Sequence, residues 1–143
     1  MEEHNSLSAS IFRNTGVLVK KCYQCGKCSA GCPLSSEMDL PPSQVLRYLQ
    51  TELPEDEEKV LKAHSIWLCL SCEMCLSRCP MEIDIPKMMD YLRQESVRQK
   101  MNHPKSRKIV AFHRSFLDSI RATGRLFEVG LVADYKMRTG TFM

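Results

Sequence analysis

An all-α fold is what this sequence predicts, on three observations. Apolar residues recur at helical spacing through the middle and the C-terminal third of the chain. Prolines and short polar residues stand where such segments would start. Nothing alternates with a period of two for long enough to make a strand. The chain has 143 residues, 43% hydrophobic and 26% charged. That size buries roughly two thirds of an unfolded surface, and the composition argues against wholesale disorder.

The expected elements follow in chain order. Met1-Glu2-Glu3-His4-Asn5-Ser6 is acidic and polar, which is not the pattern of a secretory signal. Leu40-Pro41-Pro42-Ser43 reads as a loop and cap, and Val45, Leu46 and Leu49 form the apolar stripe of the helix after it. Pro54-Glu55-Asp56-Glu57-Glu58 reads as a helix start with acids in its first turn, a solvated face. Val60, Leu61, His64, Trp67 and Leu68 continue that helix on one face. Ile85-Pro86 opens a further helix, with Met88, Met89, Leu92 and Val97 inward. After Asn102-His103-Pro104 comes a final helix with Ile109, Val110, Phe112, Phe116, Leu117 and Ile120 at helical spacing, capped by Gly124. The organisation expected is a helical domain over 1–100 and a helical extension over 101–143. The apolar stretches at 16–19, 66–70 and 130–133 fall far short of a membrane span. The chain is therefore expected to be soluble and cytoplasmic, where stable disulfides are rare.

Eight cysteines stand out in such a chain. They sit at 22, 25, 28 and 32, and again at 69, 72, 75 and 79, so that each run reads C-x2-C-x2-C-x3-C-P. This is the bacterial-type run that binds a [4Fe–4S] cubane, present twice with no cysteine left over. Three thiolates two residues apart curl around one cubane, each on a different iron. The fourth points elsewhere and, in two-cluster ferredoxins, ligates the other cluster. Cys22, Cys25, Cys28 and Cys79 are thus expected on one [4Fe–4S] cluster, and Cys69, Cys72, Cys75 and Cys32 on the other. Pro33 and Pro80 close each loop without an unpaired N–H. Gly26 and Gly31 are expected to let backbone approach the first cluster, whereas the second run has no glycine, so the two environments should differ. Tyr23 and Lys27 are positioned to tune the first cluster. A zinc module would want two C-x2-C pairs per site and leaves the remaining cysteines surplus.

The other residues carry blander expectations. With eight thiolates available, His4, His64, His103 and His113 are not needed on iron and are read as structural. Trp67 is expected to pack against the second cysteine loop, and the nine methionines to fill core. Residues 101–143 carry net +5 and residues 1–100 net −2. A basic tail without aromatic–basic interleaving or a helix-turn-helix signature does not indicate nucleic acid, and fits docking to an acidic partner surface. There is no G-x-G-x-x-G, no phosphate loop and no free nucleophile–base pair. Such a chain conducts electrons and is not catalytic alone.

The run Cys22-Tyr23-Gln24-Cys25-Gly26-Lys27-Cys28-Ser29-Ala30-Gly31-Cys32-Pro33, the second run opening Ile66-Trp67-Leu68-Cys69, and the helical spacer resemble α-helical ferredoxins. Closest is the small C-type component of the heterodisulfide reductases. The tail, Phe112-His113-Arg114-Ser115-Phe116 through Gly124-Arg125 to Glu128-Val129-Gly130-Leu131, resembles it too, so the match spans nearly all of 10–140. The resemblance implies two clusters relaying electrons from a flavin-containing A-type subunit to a cysteine-rich, catalytic B-type subunit that reduces a disulfide. In methanogens that disulfide joins coenzymes M and B. A zinc-binding interaction module, or the ferredoxin subunit of another oxidoreductase complex, are the competing readings.

Overall fold

The computed structural model describes residues 5–141, so His4 and most of the N-terminal hexapeptide lie outside the described residues. The chain divides into two compact units, Met1–His103 and Pro104–Met143. Among the described residues every regular element is helical.

The first unit holds seven α-helices: α1 (Leu7–Thr15), α2 (Lys27–Ala30), α3 (Pro42–Thr51), α4 (Pro54–Leu61), α5 (Ser65–Leu68), α6 (Met74–Arg78) and α7 (Ile85–Arg98). Short 3-10 turns at Val19–Lys21 and Ser35–Glu37 join them. Its plan is a repeat. Each cysteine recurs 47 positions on (22 to 69, 25 to 72, 28 to 75, 32 to 79), and the same step carries the start of α1 to α4 and of α2 to α6. The packing is exchanged between the halves: α1 lies on α7, α3 on α4, and α2 on α6.

Local chemistry explains the boundaries. Ser6 caps α1 by accepting from the Ala9 N–H at 3.2 Å, and Gly16, at φ 76°, ends it. Pro42 and Pro54 occupy first-turn positions where no N–H is needed. Asp84 caps α7 by accepting from the Lys87 N–H at 3.1 Å. The expected stripes bury as read on α3 (Val45, Leu46, Leu49) and on the first half of α7 (Met88, Met89, Leu92), each at 0–1% exposure. Each such side chain contributes roughly 1.5–3 kcal/mol. Two details differ from the sequence reading. The helix from Pro54 stops at Leu61 and restarts as α5 at Ser65, so Val60 and Trp67 do not share one helix. On α7 it is Glu95 and Ser96, not Val97, that are buried, and the Ser96 hydroxyl donates to the Leu61 carbonyl at 2.7 Å.

The second unit is a hairpin of α8 (Arg107–Thr123) and α9 (Glu128–Thr139). Gly124 caps α8 at φ 72°, as the sequence indicates, but α8 is not the final helix. Ser119 Oγ accepts from the Phe127 N–H at 3.0 Å across the turn, and Arg138 bridges Asp118 and Asp134, both at 2.6 Å. Gly130 has no side chain because the Phe127 ring occupies that space. The apolar stripe read at helical spacing is divided: Val110 is buried, whereas Phe112 is 45% and Leu117 64% exposed, and Ala111, Ser115 and Leu131 are buried beside it. Among the described residues no helix is long and apolar enough to cross a membrane.

Candidate metal centres

The two cysteine runs fold alike. In each, a turn of helix leads into the first cysteine: Val19–Lys21 into Cys22, and α5 into Cys69. The second cysteine, Cys25 or Cys72, is exposed on a loop, and the third, Cys28 or Cys75, is buried in a short helix, α2 or α6. The fourth, Cys32 or Cys79, is half-buried beyond that helix. None of the eight is in a disulfide. Each loop turns through two left-handed residues, Gln24 (φ 63°) and Gly26 (φ 77°) in the first, Ser71 (φ 53°) and Glu73 (φ 62°) in the second. Such backbone turns amides toward an enclosed anion. The Gln24 N–H donates to Cys22 Sγ at 3.4 Å, and the Ile83 N–H to Cys79 Sγ at 3.5 Å.

The fold brings cysteines of different runs together. One cavity is lined by Cys32 from the first run and by Cys69, Cys72 and Cys75 from the second, walled by Met38, Ile85 and Met89 among others. On the opposite pairing, the exposed Tyr23 phenol is held above its usual range by slight desolvation, then by the neighbouring Cys25, Cys79 and Cys22. Those three belong to the complementary set. Among the described residues no three His, Cys, Asp or Glu converge as a single-ion site requires. A cubane instead takes one thiolate on each of four irons, which suits four sulfurs spread around a cavity.

The donor set fits such a group chemically. Burial pushes the Cys75 thiol up to about 11, with the Leu76 N–H pulling back and Cys69 and Cys28 adding to the rise. Burial likewise raises Cys28, against hydrogen bonds from Ser29. A group bound there must offset that burial cost, because the ligand form is the thiolate.

Three contacts that no motif signals position these runs. The Gln50 side-chain amide, on α3, donates to the Val19 and Cys22 carbonyls at 3.2 and 2.7 Å. The Arg93 guanidinium, on α7, donates to the Ile66 carbonyl at 2.5 Å and to the Cys69 carbonyl. Val19 and Ile66 each precede their cysteine by three, so the two side chains do the same mechanical work in the two halves. Asp39 caps α5, accepting from the His64 and Ser65 N–H groups at 2.9 and 2.8 Å and from the Ser65 hydroxyl. Burial opposes its charge, but hydrogen bonds from Ser65 and the His64, Ser65 and Leu40 amides hold its carboxyl below the usual range. That cap, from 26 residues upstream, sits where α5 starts after the break from α4. Gly31, at φ −93°, needs no glycine for its own backbone, and the end of the exposed Arg78 side chain lies where its Cβ would stand. The expectation that Trp67 packs beneath the second loop agrees with its 6% exposure, two residues before Cys69.

Residues 18–83 match the family of 4Fe-4S dicluster domains, a span that takes in both cysteine runs. Among curated proteins the chain is similar to the C-type iron–sulfur subunit of the CoB–CoM heterodisulfide reductase of Methanopyrus kandleri, 34% identical over 86 residues, 59% of this chain and 43% of that one. It is also similar to the second C-type iron–sulfur subunit of the same reductase in Methanocaldococcus jannaschii, 28% identical over 111 residues, covering 78% of this chain and 58% of the relative. The C-type subunit of the ferredoxin:CoB-CoM heterodisulfide reductase of Methanosarcina mazei is 28% identical over 99 residues, covering 69% and 59%. The chain spans about half the length of the curated relatives it matches. The family match takes in all eight cysteines, and the resemblance read from the cysteine runs stands.

Proposed function

We propose that this [4Fe–4S] chain is the electron-relay subunit of a cytoplasmic heterodisulfide-reductase-type complex. It would hold two clusters, one on Cys22, Cys25, Cys28 and Cys79 and one on Cys69, Cys72, Cys75 and Cys32. Electrons pass from a flavin-containing A-type subunit to a B-type subunit that reduces a disulfide, and the basic hairpin over 101–143 docks one of them. The observation that carries the reading is the cavity shared by Cys32, Cys69, Cys72 and Cys75, because it joins the fourth cysteine of one run to the first three of the other.

Such clusters supply reversible one-electron transfer at potentials set by burial and hydrogen bonding. The chain's residues do the rest. Packing of α2 on α6 holds the buried Cys28 and Cys75 near one another and away from water. The Gln24 and Ile83 amides offer hydrogen bonds to thiolate sulfur, which strengthen as negative charge accumulates. The exposed Cys25 beside Tyr23, and Cys72 near the exposed Leu70, give each half an edge at which a partner can come close. No side chain here moves a proton or attacks a substrate. The test is anaerobic purification with iron, sulfide and zinc analysis. About eight iron and eight sulfide per chain are expected; zinc without acid-labile sulfide would sink the reading. Cys79→Ser should cost the cluster of Cys22, Cys25 and Cys28, and loss of the other cluster instead would overturn the crossed ligation.

A further inference from the structure

We infer that Arg93 makes the Cys69–Cys72–Cys75 site the electron-rich end of this chain, with the higher of its two reduction potentials. The inference rests on the two-cluster reading above. Its ground is the exchange of one residue between two backbone clamps of the same design. Gln50 and Arg93 each reach from the long helix after their cysteine run to two carbonyls, one on the first cysteine and one three residues before it. The neutral amide and the guanidinium both bridge two carbonyls of the lead-in. Only the guanidinium brings a fixed positive charge to the first ligand of its site.

That charge is poorly screened. The Arg93 side chain is 15% exposed, and at a partly buried position a unit charge acts about fourfold more strongly than in water. Its carboxylate partner, Asp90 at 3.1 Å, is 56% exposed and offsets it from the solvent side. The other charges around the runs, Lys20, Lys21 and Lys27 in the first half and Glu73 and Arg78 in the second, are exposed, where water and salt weaken them, and so is Asp39, whose carboxylate binds the end of α5 away from Cys69. The Gln24 N–H bonded to Cys22 Sγ favours an electron on the first site, but as a neutral dipole at 3.4 Å. An added electron is therefore held more firmly beside Arg93. A one-electron reductant that charges the first site finds transfer to the second downhill; one electron moves, and no bond or proton is exchanged.

The experiment is a redox titration of the full chain, anaerobically loaded and reduced with dithionite, followed by EPR. Arg93→Gln copies the first half's clamp and should lower the upper midpoint while leaving the lower nearly in place. A tenfold change in the electron's distribution between the sites would read as about 59 mV. Arg93→Lys keeps the charge and should keep most of the separation. Asp90→Asn, at an exposed position, should raise the upper midpoint. Both midpoints unmoved in Arg93→Gln, or only the lower one moved, overturns the inference. If Arg93→Gln fails to load its second cluster, Asp90→Asn decides, and an unraised midpoint there overturns it. Parent protein with far fewer than about eight iron would sink the two-cluster reading itself, whereas full iron with unmoved midpoints sinks only the assignment to Arg93.

Discussion

The halves of the first unit, 7–51 and 54–98, share an order of helices and a cysteine spacing but differ in what surrounds the sulfurs. Where the first half has Gly26, Gly31 and Gln50, the second has Glu73, Arg78 and Arg93 at matching places. The lead-in to Cys22 has no side-chain cap, whereas the lead-in to Cys69 is capped by Asp39, which belongs to the first half. The repeat therefore preserves geometry and lets charge and backbone freedom diverge. Geometry is what ligation needs, because each thiolate must reach its own iron. Charge is what would make two such sites unequal, which is the substance of the proposal for Arg93.

The sharpest way to break this comparison is at the fourth cysteines. If the halves trade ligands, Cys32→Ser should remove the cluster of Cys69, Cys72 and Cys75 and leave the other. Loaded iron should then fall by about half, with the surviving reduced signal no longer coupled to a neighbour. The cavity places Cys32 with those three. Survival of that cluster alongside loss of its fellow would mean that each half ligates for itself, and the repeat would be two independent sites.

A smaller effect is expected at Asp39, which ties the halves together. Asp39→Ala removes an acceptor from two amides and a hydroxyl at the start of α5, and should cost about 1–2 kcal/mol in anaerobic unfolding. It should also speed loss of the second cluster more than the first, because α5 runs directly into Cys69. Asp39→Asn, a good cap without charge, should lose less. The folded carboxyl lies below its ordinary value, so its contribution is complete above the ordinary carboxylate range and fades only as pH falls through the lowered value. The destabilisation by Asp39→Ala should thus be the same at about pH 6 and about pH 8. A pH-dependent difference there would mean that another group shares the cap.

How much of this was legible before the structure depends on how far each signal reaches along the chain. The cysteine runs and the Val45, Leu46 and Leu49 stripe are local patterns, and they read correctly. Asp39, Gln50 and Arg93 act on backbone groups 24 to 31 residues away, and a side chain that binds a distant carbonyl leaves no local pattern. The fourth cysteine also lies 18 residues before Gln50 but 14 before Arg93, because the 3-10 turn at Ser35–Glu37 lengthens the first half, so alignment of the cysteines does not align the clamps. The nearness of the Arg78 side-chain tip to Gly31 crosses from one run to the other and has no local signal either. In α8 the helical period was right, yet periodicity cannot say what covers a stripe, and Phe112 and Leu117 stand open. The helix α9 escaped notice because Gly130, set against the Phe127 ring, interrupts its apolar pattern.

The finest test of the comparison lies in the left-handed residue before each short helix. Gly26 at φ 77° and Glu73 at φ 62° cap α2 and α6 in the same conformation. For glycine that conformation is nearly free; for glutamate it costs on the order of 1 kcal/mol. A Cβ at Gly26 would meet no protein atom within 4 Å, so the dihedral sets the cost of Gly26→Ala within the polypeptide, which should be about 1 kcal/mol. Glu73→Gly should do the reverse, stabilising by about 0.5–1 kcal/mol less what the freer unfolded chain takes back. Anaerobic thermal unfolding resolves such differences, at roughly 2–8 °C per kcal/mol. Opposite signs at the two positions would show that the second half tolerates a strained residue where the first does not need one. If Glu73→Gly is instead destabilising, the glutamate side chain holds the second loop in a way its exposure conceals, and the two loops are less alike than their backbones.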